Sequence, residues 1–152
     1  MNIGVVSPHA LTRKALCALL APVQDFSVIL DLGTTPDELK RVQKSPLEIL
    51  LIDVLSPAKG FAIVSHVRSL SPNTKVLLLA DGVDPEFQIG AIRAGAQGCI
   101  SKHSEPPILE EAVRLVGQGK IWVGCQVDER NSGKVAGRQN QTNEDADELT
   151  QR

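Results

Sequence analysis

One run of residues, from Glu48 to Asp53, constrains the fold of this chain more than any other stretch. Four large apolar residues in a row, Ile-Leu-Leu-Ile, are followed there by a single carboxylate. A run without polar alternation is typical of a central strand in a parallel sheet that helices cover on both faces. Ligands of such sheets bind beyond the carboxyl ends of the strands. Asp53 therefore either takes part in the chemistry of the protein or simply begins a loop, where Asp is common.

The composition is that of a globular protein with one domain. The 152 residues suffice to bury a core, and only 3% are aromatic, so that core must be aliphatic. A net charge of −2 without a basic cluster argues against direct nucleic-acid binding. Without a long apolar run or a signal-peptide pattern, we expect a cytoplasmic protein with no membrane partner. Cys17, Cys99 and Cys125 form no CxxC pair and are expected to be reduced packing residues.

Strand and helix patterns alternate along the chain. Apolar runs predict strands at 2–6, 26–32, 48–53, 75–80 and 98–102. Helical spacing and capping residues predict helices at about 9–21, from Thr35 onward, at about 61–70, from Asp84 to Gly95 and at about 105–117. Five such alternations with short connections predict a doubly wound five-stranded parallel sheet with right-handed crossovers, in a single domain.

The first and last predicted helices carry more apolar residues than one core-facing stripe needs. The predicted core stripes are Leu11, Ala15, Ala18 and Leu19 in the first helix and Leu109, Ala112, Val113 and Val116 in the last. Four further apolar residues lie beside these stripes: Leu16, Leu20, Ile108 and Leu115. Extra apolar residues predict a partner surface, and a two-fold homodimer is the commonest arrangement. The alternative is a core face that is slightly wide.

The composition changes after Cys125. Residues 126–148 are mostly polar or charged and contain hardly any large apolar side chain. Such a segment cannot bury enough surface to offset the entropy lost on ordering. We therefore expect the globular domain to end at residue 125 and a flexible polar linker to follow over residues 126–147.

Three segments in register resemble the receiver domain of two-component response regulators of the NarL/FixJ type. They read VVSPHALTRKALCALL after the first strand, LLIDVLSP around Asp53 and AIRAGAQGCISK at the fifth strand. The resemblance covers about residues 1–124 and implies a flavodoxin/CheY-like (βα)5 fold, with a receiver-like regulatory domain over residues 1–125. Residues 148–152 resemble the start of a LuxR-type helix-turn-helix domain. The resemblance thus implies that the natural protein continues past Arg152 into a DNA-binding half.

The resemblance also implies roles for individual positions. In the family, the aspartate that matches Asp53 accepts a phosphoryl group from a histidine kinase, and the lysine that matches Lys102 pairs with the phosphoryl oxygens. An acidic pair after the first strand holds Mg²⁺, a Thr or Ser ends the fourth strand, and an aromatic residue on the fifth strand changes rotamer. The corresponding residues here are Ser7 and Pro8, Ala80, and Cys99.

These departures predict that Mg²⁺ binding is weak or absent and that the chain holds no cofactor. Mg²⁺ needs oxygen ligands, usually carboxylates, and each lost charge close to the ion costs about 4 kcal/mol at an effective dielectric constant of about 20. The retained pair, Asp53 and Lys102, is then explained by a structural salt bridge. Residual acceptance of a phosphoryl group by Asp53 and capture of an anion by Lys102 are the alternatives.

The sequence therefore predicts an atypical receiver domain of a DNA-binding transcriptional regulator. It would act as a signal-input and dimerisation module with weakened or absent phosphorylation at Asp53. The expected partners are a second copy, a histidine kinase, and DNA through the domain beyond Arg152. An ordinary phosphorylation-dependent receiver and a small-molecule-sensing pseudo-receiver are the alternatives. We expect no enzymatic activity of its own, because no nucleophile–base pair and no glycine-rich phosphate loop is found.

Overall fold

The computed structural model describes residues 1–123, which form a single parallel sheet with helices on both faces. The strands are β1 (Asn2–Val6), β2 (Ser27–Leu32), β3 (Ile49–Asp53), β4 (Lys75–Ala80), β5 (Gly98–Ser101) and β6 (Trp122–Val123). They lie in the order β2-β1-β3-β4-β5-β6. All five residues of β3 are buried, as the apolar run that ends at Asp53 predicts. The parallel, doubly wound architecture predicted from the sequence is confirmed.

Five α-helices connect the strands. They are α1 (Ala10–Leu20), α2 (Pro36–Leu39), α3 (Pro57–Leu70), α4 (Pro85–Ala94) and α5 (Pro106–Gly117), with a 3₁₀ turn at Lys40–Lys44 after α2. Buried side chains form two clusters, one on each face of the sheet. The first includes residues of α2, α3 and α4, and the second includes residues of α1 and α5. The carboxyl ends of all strands point to one edge, where α1 and α5 both begin.

The prediction of five strands misses β6, which pairs with Gly98 and Cys99 of β5. Trp122 is only 2% exposed and belongs to the same core cluster as α1 and α5. Gly98 permits this close pairing, because a Cβ atom there would lie 2.5 Å from the carbonyl oxygen of Trp122. A strand of two residues is too short to give the periodic signal on which strand prediction depends.

The predicted faces of α1 are wrong. Leu16 and Leu20 are buried (7% and 1% exposed), whereas Leu11 and Leu19 are 87% and 47% exposed. Two adjacent apolar stripes run along this helix, and periodicity does not tell which of them meets the sheet. Leu16 and Leu20 therefore belong to the core and cannot form the predicted dimer surface in the folded chain.

The core stripe of α5 is confirmed, since Leu109, Ala112, Val113 and Val116 are all buried. Ile108 and Leu115, which were placed beside that stripe, are half-buried and pack against the same cluster. The predicted linker at 126–147 and the predicted helix-turn-helix start at 148–152 lie outside the described residues. Among residues 1–123, no helix is long and apolar enough to cross a membrane.

Candidate functional site

Asp53 and Ser7 meet at the carboxyl edge of the sheet. Asp53 ends β3 and Ser7 directly follows β1, and these two parallel strands are neighbours. Because parallel strands end at the same edge, the two side chains lie close together. The Ser7 Oγ donates a hydrogen bond of 2.8 Å to Oδ2 of Asp53. Both residues are buried, so this bond is shielded from water.

Lys102 reaches Asp53 from the other side. It follows β5, and β4 lies between β5 and β3. Its ammonium group forms an ion pair with Oδ1 of Asp53 and lies 3.4 Å from the carbonyl oxygen of Val54, to which it donates. The backbone N–H of Lys102 donates to the carbonyl oxygen of Ala80 at 2.8 Å. Oδ2 of Asp53 thus has a hydrogen-bond donor in the Ser7 hydroxyl, whereas Oδ1 accepts no hydrogen bond and has the ammonium group as an ion-pair partner.

Three further hydrogen bonds hold Ser7 in place. Its Oγ accepts a hydrogen bond of 3.0 Å from the backbone N–H of His9, which leaves the hydroxyl hydrogen for Asp53. Its own N–H donates to the carbonyl oxygen of Leu32 at 3.0 Å. The guanidinium Nη1 of Arg13 donates to the carbonyl oxygen of Ser7 at 2.8 Å. The orientation of Ser7 is therefore fixed from both its backbone and its side chain.

Arg13 also belongs to a charged cluster on the β2 side of the site. Its Nε donates to Oδ1 of Asp31 at 2.7 Å, and Lys14 Nζ contacts Oδ2 at 2.6 Å. The hydrogen bond from Lys14, together with Arg13, lowers the pKa of Asp31 below its ordinary value. Burial first, and then the nearby Asp31 carboxylate, raise the pKa of the Cys17 thiol. The carboxylate of Asp31 is thus neutralised by two cations and is held on the β2 side by them.

A match to a protein-family model identifies the family of the domain that carries this site. The model of the response regulator receiver domain matches residues 3–114, which is more than half of the chain. This chain belongs to the response regulator receiver domain family. Domains of this family are signalling modules of two-component systems rather than enzymes in the usual sense. The two-component resemblance of the sequence is thereby confirmed, and the matched range includes Asp53, for which the resemblance predicts the phosphoacceptor role.

Curated relatives of this receiver are regulatory proteins. The oxygen regulatory protein NreC of Staphylococcus epidermidis is 27% identical over 129 residues, which cover 84% of this chain and 59% of NreC. The transcriptional regulatory protein DegU of Brevibacillus brevis is 26% identical over 128 residues, covering 84% of this chain and 54% of DegU. The receiver therefore spans less than two thirds of the length of these relatives.

Solved structures share the fold of this receiver. A LuxR-family two-component response regulator from Aurantimonas sp. SI85-9A1 superposes with a TM-score of 0.72 at 19% identity, covering 90% of this chain and 92% of that chain. The isolated receiver domain of RcsB from Salmonella enterica serovar Typhimurium gives a TM-score of 0.69 at 15% identity, covering 89% and 97%. At these identities the likeness shows the flavodoxin/CheY-like fold alone.

The receiver's pocket does not present the ligand set that Mg²⁺ requires. Ser7 and Pro8 are the residues that the resemblance matched to the acidic pair; the Ser7 hydroxyl donates to Asp53, and Pro8 is exposed and has no side-chain oxygen. Among residues 1–123 no group of three or more His, Cys, Asp or Glu side chains could hold a metal ion. A magnesium ion prefers several oxygen ligands in octahedral geometry. Here it would meet one carboxylate that already has two partners, so the residues do not fit the ion.

The resemblance matched two further residues, Ala80 and Cys99, to the switch positions of the family. Ala80 ends β4, is almost fully buried, and has no hydroxyl group to bond a phosphoryl oxygen. Cys99 on β5, which the resemblance matched to the aromatic position, is fully buried. Sequence reasoning treated Ser7 only as a lost carboxylate and overlooked its bond to Asp53. The signal was a short hydroxyl side chain at the end of a strand that neighbours β3.

Proposed function

We propose that this receiver domain is the signal-input and dimerisation module of a DNA-binding transcriptional regulator, and that Mg²⁺-dependent phosphorylation of Asp53 does not control it. The observation that carries this proposal is the closed arrangement around Asp53. Ser7 and Lys102 occupy both of its oxygens, so the carboxylate is used to hold strand ends together. An attacking oxygen of Asp53 would first have to lose one of these partners.

The missing charges weigh against phosphoryl transfer more heavily than any other feature. Transfer depends mainly on positioning and on metal ions that neutralise the developing charge. Two carboxylates at Ser7 and Pro8 would each attract a nearby positive charge by about 4 kcal/mol at an effective dielectric constant of about 20. The hydroxyl of Ser7 carries no net charge, its hydrogen is donated to Asp53, and one of its two lone pairs accepts from the N–H of His9. Weak or absent Mg²⁺ binding follows from this.

A phosphoryl group on Asp53 would also find few contacts with which to change the conformation. A ligand shifts a two-state equilibrium only by its different affinity for the two states. In an ordinary receiver that difference comes from a hydroxyl at the position of Ala80 and from an aromatic ring at the position of Cys99. Neither group is present at those positions. Signal input therefore reaches the domain by a route other than this switch.

The regulatory role is supported by the kind of protein that the chain resembles. Two matched relatives are named as an oxygen regulatory protein and a transcriptional regulatory protein. Both are longer than the part that the chain matches. By analogy, the protein would act in the cytoplasm and would contact DNA through a domain beyond Arg152. If the domain were instead an ordinary phosphorylation-dependent receiver, its partner would be a histidine kinase.

Dimerisation is supported by apolar residues that α1 and α5 leave exposed or half-buried. Leu11 and Leu19 are exposed on α1, and the half-buried Ile108 and Leu115 lie on α5. Leu11 and Leu19 are eight residues apart and therefore lie on one face of the helix. We call these four residues the α1–α5 surface. A second copy would remove their apolar area from water, and a closed two-fold dimer is the commonest way to do so.

Intact-mass spectrometry tests the proposal directly. The full chain is incubated with Mg²⁺ and the small phosphoryl donor acetyl phosphate, with Asp53→Asn as the control for modification elsewhere. We expect the wild type and the control to gain the same small amount of phosphoryl mass. Stoichiometric modification of the wild type alone would support the ordinary phosphorylation-dependent receiver, which the retained Asp53–Lys102 contact favours.

A further inference from the structure

A cleft of about 250 Å³ lies between α1 and α5, beside the Asp53–Lys102 pair. Its walls are mainly apolar: Ala15 and Leu19 of α1, Leu79 of β4, Ile100 of β5 and Leu109 of α5. Its polar residues include Thr12, Ser101, Lys102 and Ser104. Small-molecule sites are usually apolar recesses with a few polar groups that fix orientation, and this cleft has that character.

The four polar residues named above can each donate a hydrogen bond. An ammonium group has three N–H donors, and that of Lys102 contacts Asp53 and the carbonyl oxygen of Val54. At least one donor therefore remains for a ligand. The Ser101 Oγ already accepts from the N–H of His103 at 3.0 Å, which leaves its hydroxyl hydrogen to be donated. The carboxylate of Asp53 also borders the cleft, but both of its oxygens are already occupied.

The chemistry of the walls and of the polar residues selects one class of ligand. We propose that this cleft binds a small carboxylic acid with a short apolar body, whose carboxylate meets Lys102 and the neighbouring hydroxyls. A ligand with a cationic head group would be repelled by the ammonium group of Lys102. A nucleotide would be too large, because pockets for drug-sized ligands span about 300–1,000 Å³ and this cleft lies below that range. The inference does not rest on how Asp53 responds to phosphoryl donors.

Octanoate is a suitable probe, and octanol is its uncharged counterpart. Each is titrated into the full chain, with binding followed by calorimetry and by amide NMR shifts. We expect octanoate to bind with shifts centred on Thr12, Ser101 and Ser104, and to bind at least about tenfold more tightly than octanol, a difference of about 1.4 kcal/mol. Absence of binding, or shifts centred elsewhere, would overturn the proposal. Equal affinity for octanol would overturn the role of Lys102.

Two variants of α1 locate the site. Ala15→Phe places a ring in the cleft, and Ala18→Phe places the same ring on the same helix at a residue that does not line it. Both alanines are exposed, so neither substitution disturbs the packing of the core. We expect Ala15→Phe to weaken octanoate binding at least about tenfold and Ala18→Phe to leave it unchanged. Equal effects of the two variants would contradict the site. Sedimentation of both variants separates a change in binding from a change in association.

A paired substitution tests the charge without leaving a buried ion alone. Asp53→Asn combined with Lys102→Met replaces the ion pair by uncharged groups, which avoids the penalty of an unpaired buried carboxylate. In this variant we expect octanoate to lose its advantage over octanol. A preserved preference for octanoate would show that Lys102 does not recognise the carboxylate. Circular dichroism establishes that the variant is folded before titration.

Discussion

The hydroxyl of Ser7 donates a hydrogen bond of 2.8 Å to the carboxylate of Asp53, across a sequence separation of 46 residues. An ordinary receiver has acidic side chains after β1 that bind a metal ion. Here Ser7, which the resemblance matched to one of those acidic side chains, binds Asp53 itself. A serine after β1 brings no negative charge for a metal ion, and its hydroxyl supplies the buried carboxylate of Asp53 with a partner.

The first prediction concerns that hydrogen bond. Ser7→Ala leaves one oxygen of a buried carboxylate without its donor, so we expect the free energy of unfolding to fall by about 1–3 kcal/mol. Urea unfolding of the full chain measures it. Ser65→Ala, at an exposed serine of α3, is the control and should stay within about 0.5 kcal/mol of the wild type. Equal effects of the two substitutions would contradict a structural role of the bond.

The second prediction concerns the ion pair. Lys102→Met leaves Asp53 buried with one fewer partner, and we expect a loss of about 3 kcal/mol, the low end for a broken buried pair, because the Lys102 side chain is 26% exposed. The double variant with Asp53→Asn should lose less than the sum of the single variants. A double-mutant cycle by urea unfolding measures this coupling, with the exposed Lys59→Met as control. Additive losses would show that the two residues are not coupled.

The third prediction concerns pH. Lys14, and then Arg13, hold the pKa of Asp31 below its ordinary value of 3.8. A carboxylate whose pKa is lowered by folding stabilises the folded state at pH values above its ordinary pKa. This stabilisation is lost as the pH falls through the pKa of the folded state. The wild type should therefore exceed Asp31→Asn in stability at neutral pH by less than about 1 kcal/mol, because Lys14 is exposed. Urea unfolding at pH values above and below 3.8 should show this difference shrinking in acid; a constant difference would refute the pair's role.

The fourth prediction concerns the α1–α5 surface. Leu19→Glu places a charge on that surface, and we expect it to shift the chain from dimer to monomer in analytical sedimentation. Ile89→Glu on α4 is the matched control, because Ile89 is 54% exposed and Leu19 is 47% exposed. A wild-type chain that stays monomeric at high concentration, or a dimer that Ile89→Glu breaks instead, would refute this surface.

Much of the fold follows from local sequence signals. The apolar run of β3 requires cover on both faces, and the structure buries all of it. Asp84 caps α4 by accepting from the N–H of Phe87 at 2.7 Å, and Gly95 ends that helix at a φ of 113°. Both ends of α4 could be predicted from the sequence, because helix capping depends on neighbouring residues.

The features that prediction missed depend on contacts between distant segments. β6 exists because Gly98 leaves room for the backbone of Trp122, and such room cannot be read from two residues. The face of α1 was wrong because the sheet selects between two apolar stripes, Leu16 and Leu20 over Leu11 and Leu19. At the site, the sequence suggested Asp53 and Lys102 by resemblance. The donation from Ser7 requires the alignment of β1 with β3, which only the tertiary structure provides.

The response to a phosphoryl mimic tests the central claim most directly. Mg²⁺ and beryllofluoride are added to the full chain, and the amide resonances of Ala80, Cys99 and Lys102 are followed by NMR, with Asp53→Asn as the control. We expect spectra that stay unchanged, apart from effects shared with the control. The reasons are that both oxygens of Asp53 have partners, that the residues around it do not suit Mg²⁺, and that Ala80 and Cys99 lack the groups of the ordinary switch. Saturable shifts that require Asp53 and spread into α4 and β5 would contradict the account and identify a phosphorylation-dependent receiver.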